Sequence, residues 1–177
     1  MLLETTNGAV IALVHRYVSL LALPSENLWV TTSRAAYATW IGRRVPSAYG
    51  GAYCFIVRHG VHAILINVAR IDLQKPYALE VVVAEEFLHM RDHLDGDTRR
   101  HAHHGYDRIA RRVAELTGVS QEEIRSVLIP PNRRPVRYVY QCPSCKVRVG
   151  RRKRGTWSCA RCASRFDPRL VLRLVDG

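Results

Sequence analysis

Apolar residues at three- and four-residue spacing, Val10, Val14 and Tyr17, predict a helix from about Thr5 to Leu23, ended near Pro24. The period then changes. "NLWVTTS" carries strand-forming residues, and "GAYCFIVR" and "VHAILINVAR" predict two strands joined by a tight hairpin at His59-Gly60. Pro46 and three glycines between Ile41 and Gly51 predict a loop. A second helix is expected from about Pro76 to His93, with Pro76 in its first turn and Gly96 closing it in the left-handed conformation. A polar, histidine-rich segment, "DTRRHAHH", leads into the amphipathic stretch "GYDRIARRVAELTG", where Ile109, Val113 and Leu116 make the apolar stripe and Gly118 the stop. "SQEEIRSVLI" adds a short helix, with Ser120 and Glu123 spaced as a capping box. This mixture predicts an α+β fold.

The two prolines of "PPNRRP" mark a domain boundary, dividing the chain into 1–130 and 131–177. With 177 residues and 47% apolar content, there is room for one domain of ordinary size and a small module. The apolar run "VIALVHRYVSLLAL" is interrupted by His15 and Arg16, is shorter than a bilayer requires, and is followed by no small-residue cleavage site. It reads as a buried helix, with no membrane partner and a cytoplasmic location expected. Charge separates the two parts. From Pro131 to Gly177 there are 13 Lys and Arg against 2 Asp, a net of +11, which leaves +1 of the total +12 for the first 130 residues. Clustered cations of this kind are the electrostatic footprint of a nucleic-acid contact, with a solvated basic tail or attraction to anionic lipid or an acidic protein as the plainer alternatives.

Four of the five cysteines fall in "YVYQCPSCKVRVGRRKRGTWSCARCASRF" as two CxxC pairs, Cys142 with Cys145 and Cys159 with Cys162. Each pair places two sulfurs on one side of a knuckle, and two knuckles complete a tetrahedron of thiolates around a structural zinc. Four protein ligands leave no open position, so such a zinc holds the fold and does no chemistry. The intervening segment fits a hairpin with Arg151, Arg152, Lys153 and Arg154 at its tip, placed to contact nucleic acid, while Tyr140 and Trp157 pack the small ribbon. Cys54, among apolar neighbours, reads as a buried thiol in a strand.

The helix ends in "AEEFLHMRDH". Residues four apart lie on one side of a helix, so Glu85 and His89 could grip one ion, and Glu86 projects about 100° away. In zinc-protease helices of the form HExxH, the general base occupies the position of Glu86. Two other possibilities stand beside this one: a His89 and His93 pair, whose intervening Met90 cannot act as a base, and an ordinary charged helix face. A site on one helix needs a further ligand, and His101, His103 and His104 follow shortly.

Helix, strands with a hairpin, EExxH helix, the His104-Gly105 pair and the paired CxxC occur in that order from about Thr5 to Val175. In this the chain resembles the SprT-like (Spartan-related) family of zinc metallopeptidases. The resemblance implies a zincin-like metallopeptidase domain followed by a four-cysteine zinc ribbon, with two Zn2+ ions, one catalytic and one structural. By position it makes His89 the second metal ligand, His104 the third and Glu86 the general base, with Glu85 where the family's first His belongs. Arg108 stands where the family often has an aromatic, and Ile109 can supply the core contact. The implied activity is cleavage of proteins bound or crosslinked to DNA. A carboxylate ligand lowers the ion's net charge and so its power to acidify water. The alternative is a catalytically inactive SprT-like nucleic-acid-binding zinc-ribbon protein.

Overall fold

The computed structural model describes residues 1–97, 108–130 and 135–176. It divides into two compact units, Met1–Pro130 and Pro131–Gly177. The architecture is mixed α and β, with one small sheet in each unit.

The first unit opens with strand β1 (Leu2–Glu4) and helix α1 (Gly8–Leu20). The helix is shorter at both ends than the expected span from Thr5 to Leu23, because caps define it. The Asn7 side chain accepts the Val10 N–H, and Ala22, in the left-handed region, turns the chain so that the Leu23 N–H reaches the Val18 carbonyl at 2.9 Å. Strand β2 (Leu28–Thr31) is followed by α2 (Arg34–Ile41), a helix that the apolar pattern did not predict. Only Tyr37 of α2 is buried, so it carries almost no stripe. Its signals are terminal: Ser33 accepts the Ala36 N–H, and Gly42 closes the helix at φ 68°.

Strands β3 (Gly51–Ile56) and β4 (Val61–Ile66) pair antiparallel, as expected. Their connection is longer than a two-residue hairpin: Val57–His59 form a 3-10 turn, and Gly60 takes the left-handed conformation. Sheet order is β1-β2-β4-β3, parallel except for β3, which forms an antiparallel edge. Every residue of β4 is buried. Ile64 and Ile66 face one cluster, and Ala63 and Leu65 pack with Tyr37 in another, so the strand shows no alternation.

Helix α3 (Ala78–Leu94) crosses the Ile64 face together with α1. It starts two residues after Pro76 and ends, as predicted, with Gly96 at positive φ, where the Asp97 N–H returns to the Asp92 carbonyl. Helix α4 (Arg108–Thr117) adds Ile109 and Val113 to the same core, and α5 (Gln121–Ile124) carries the expected Ser120–Glu123 capping box. Beyond α5 the chain folds back, with the Asp72 N–H bonded to the Val127 carbonyl at 2.8 Å and Ile71 bridged to Leu128. Among the described residues no helix is long and apolar enough to cross a membrane.

In the second unit, β5 (Tyr138–Gln141), β6 (Arg148–Arg151) and β7 (Arg173–Asp176) form an antiparallel sheet of order β6-β5-β7. Among the described residues its buried core is Tyr140, Cys142, Cys159 and Leu172. A core this small carries little hydrophobic stabilisation.

Helices α3 and α4 are joined by a buried ion pair, the Arg112 guanidinium donating to the Asp92 carboxylate, which is almost fully enclosed. Removing the acid leaves a partly buried cation uncompensated. Asp92→Ala is expected to lower unfolding stability by roughly 2–3 kcal/mol, read from the urea midpoint by circular dichroism; an unchanged midpoint would contradict this role.

Candidate metal centres and the cleft over helix α3

The inner side of α3 is apolar, with Val81, Val83, Ala84, Phe87, Leu88 and Met90 buried, and Glu86 is set among them at 5% exposure. Its carboxylate lies against strand β3 so closely that a Cβ placed on Gly51 would stand 2.3 Å from Glu86 Oε1. Only glycine lets the strand pass there. Glu85 and His89, both half-buried, open with Glu86 into one cleft of about 670 Å3. Tyr37, Tyr49 and Tyr53 also line it, as do Arg43, Arg44 and Val45 from the loop before β3 and Val127 and Leu128 from the fold-back after α5. The sequence did not mark these walls as part of a site. The available signal was the Gly50-Gly51 pair entering a strand: a Cβ on Gly50 would meet Leu128 Cδ2 at 2.2 Å, so both glycines permit close approach.

Burial pushes the Glu86 carboxyl well above the ordinary value of 4.5, and the neighbouring Glu85 pushes it the same way. A buried carboxyl with a raised pKa beside a second acid in a cleft is a common arrangement in groups that move protons.

His93 is elsewhere. Its ring packs 4.6 Å from Phe55 and 5.6 Å from His62, between centroids, over the far end of β3 and β4, and it does not line the cleft. The hairpin histidine His62 is buried, and its Nδ1 shares a 2.9 Å hydrogen bond with the Tyr53 hydroxyl. Burial and then the nearby His93 push the His62 imidazole below its usual value. The ionisable α3 side chains that line the cleft are therefore Glu85, Glu86 and His89. His104, with His101 and His103, lies outside the described residues. The chain flanking 98–107 is clasped, because Asp97 and Arg108 form an ion pair. Among the described residues no further side chain joins Glu85 and His89 in a converged ligand group.

The cysteines do converge. The sulfurs of Cys142, Cys145, Cys159 and Cys162 all lie within 4.8 Å of one another, with Cys142 and Cys162 at 3.9 Å and Cys145 and Cys159 at 3.7 Å. A thiolate tetrahedron around zinc at about 2.3 Å has edges of about 3.8 Å, so the four side chains fit one metal ion. Burial raises the Cys142 thiol, but N–H groups of Cys145 and Ser144 and the adjacent sulfurs more than offset this, bringing it to about 6. Cys162 is pushed up to about 12, first by its hydrogen bond to Cys145. One sulfur thus ionises readily while another keeps its proton, the state expected of a thiol cluster that a cation completes.

The basic run is placed differently from its expected position. The first CxxC forms the turn between β5 and β6, and Arg151 sits at the opposite end of that hairpin, in register with Tyr138. Arg152, Lys153 and Arg154 follow the strand as exposed residues. Tyr140 packs the core, its hydroxyl accepting the Gly155 N–H at 3.2 Å. Trp157 remains 37% exposed, with the Arg151 guanidinium 5.0 Å from its ring centroid. Cys54 is half-buried in β3, beside Tyr37 and Leu65.

The raised Glu86 carboxyl has a consequence for stability. Below about 4.5 both folded and unfolded chains hold the proton; above it the unfolded chain ionises first, so stability falls as pH rises toward the folded pKa. In metal-stripped protein, Glu86→Gln is expected to flatten urea-unfolding stability between about pH 5 and pH 8, gaining at least about 1 kcal/mol on wild type at the upper end. Parallel pH profiles would contradict the burial of this acid.

Comparison with protein-family models, with curated proteins and with solved structures found no match to this chain.

Proposed function

We propose that the first unit is a SprT-like metallopeptidase of zincin type and that the basic ribbon brings it to DNA-associated proteins. The observation that carries this reading is the cleft in which Glu86 is buried under Gly51 of an antiparallel edge strand, with Glu85 and His89 opening beside it. Glu85, His89 and His104 would hold the catalytic ion. The donor set suits it, since two imidazoles and a carboxylate are ligands that hydrolytic zinc accepts. Bound there, the ion supplies Lewis acidity and an acidified water.

The chain's own residues supply the rest. Glu86 takes a proton from the attacking water and passes it to the leaving amine nitrogen. A carboxyl raised this far is a strong base once ionised. A cation held by Glu85 would cancel the like-charge repulsion between the two acids and lower the Glu86 carboxyl again, leaving the part of the shift that burial causes. At 5% exposure the Glu86 carboxyl itself is shielded from bulk water.

The ribbon's part rests on charge and exposure. Arg152, Lys153 and Arg154 project from the end of β6 next to a half-open Trp157, a surface suited to a phosphate backbone. The four cysteines hold that surface together through zinc.

Purified protein is expected to carry close to two metal ions per chain. Glu86→Gln keeps both and loses proteolysis of a DNA-bound protein substrate by at least about a hundredfold. If wild type carries a single ion, lost in Cys142→Ser, the catalytic site fails and the inactive nucleic-acid-binding reading takes its place. For the ribbon, replacing Arg152, Lys153 and Arg154 together by Ala should weaken DNA binding and reduce the log–log salt slope by about 2 to 3. An unchanged slope would put the DNA contact elsewhere.

A further inference from the structure

Two arginines on the rim of the α3 cleft have no part in the proton chemistry. Arg43 and Arg44 lie in the loop between α2 and β3 and line the same cavity as Glu85, Glu86 and His89. Both are exposed, and neither forms an ion pair among the described residues. Their backbone is nevertheless fixed on both sides. Gly42 turns the chain at φ 68°, the Arg43 N–H returns to the Ala38 carbonyl at 3.2 Å, and the next residue, Val45, is buried with Tyr37 and Leu65. Two adjacent cationic residues are thus held at the mouth of the cleft.

We propose that Arg43 and Arg44 receive an acidic side chain of the polypeptide substrate, close to the bond being cleaved. This rests on the peptidase reading of the cleft and adds a substrate preference to it. An aspartate or glutamate side chain suits the composition of the cavity. Its carboxylate meets the guanidinium pair, and its methylenes and neighbours lie on Val45, Pro46 and Leu128. A nucleic-acid backbone suits it poorly. A chain of phosphates calls for successive cations along its path, and beside the two arginines the cleft wall is Val45, Pro46 and Leu128. An isolated carboxylate needs only the guanidinium pair, and the peptide segment beside it is neutral. The arrangement also separates the two anions that the protein would meet: phosphates at the ribbon's basic run and carboxylates at the cleft.

The test uses two fluorescein-labelled peptides of one sequence, with spaced glutamates in the first and glutamines at the same positions in the second. Binding is measured by anisotropy on full-length Glu86→Gln protein, and cleavage of both peptides on metal-loaded wild type. The glutamate peptide is expected to bind about fivefold more tightly. In Arg43→Gln/Arg44→Gln the ratio should fall to about one, while Arg43→Lys/Arg44→Lys retains part of it. Circular dichroism checks that each variant is folded. Equal affinities for the two peptides, or a ratio that survives the Gln variant, overturns the assignment. So does loss of affinity for a short single-stranded oligonucleotide in the Gln variant with no glutamate preference in wild type, because the arginines would then serve a phosphate backbone. The peptidase reading fails separately. A glutamate preference that depends on the arginines, without cleavage of either peptide, leaves the anion-binding rim standing and removes the hydrolytic role.

Discussion

Glu86 is pressed against the backbone of Gly51, and the position of α3 on the sheet depends on that contact. A carboxyl enclosed by apolar side chains is held in place by its surroundings, because ionising it there costs far more than in water. With Glu86 turned inward, the helical period sends Glu85 and His89 to the side where the loop before β3 and the fold-back after α5 leave a cleft. Any residue larger than glycine at position 51 would displace the Glu86 side chain. The edge strand, the acid and the two candidate ligands therefore form one packing unit.

The rest of the first unit supports that crossing. β4, buried on both faces, gives α3 and α1 one apolar surface and α2 another. The Asp92–Arg112 and Asp97–Arg108 pairs bind α4 to the end of α3, on either side of the segment that contains His104. The second unit follows a different principle. Among the described residues its core is half cysteine, so the sulfurs are both packing atoms and metal donors. Its exposed cations can accumulate because few acids lie near them.

Much of this was legible where a short sequence pattern maps directly onto geometry. The CxxC spacing fixed which four sulfurs meet, and the Val10, Val14 and Tyr17 spacing marked the buried face of α1. The β3–β4 pair and the end of α3 at Gly96 were equally readable. What escaped was non-local or unpatterned. Helix α2 buries one side chain, and β1 is three residues held by parallel pairing to β2. The cleft walls come from a Pro- and Gly-containing loop and from residues after α5, whose meeting near Leu128 no local period could announce. The basic run moved from the expected tip because β6 pairs with the chain before the first CxxC, which turns the knuckle itself into the hairpin's tip. Glu86 was singled out by its place in the EExxH pattern, but its burial follows from Gly51, 35 positions earlier.

The metal centre proposed for the cleft over α3 has an unusual first ligand, Glu85. An anomalous difference map collected at the zinc edge from crystals of the zinc-loaded protein tests it most directly. Two peaks are predicted: one inside the four cysteine sulfurs, and one touching both a Glu85 oxygen and a His89 nitrogen, with Glu86 facing it. A single peak at the cysteines, with Glu85 and His89 engaged elsewhere, would contradict the account.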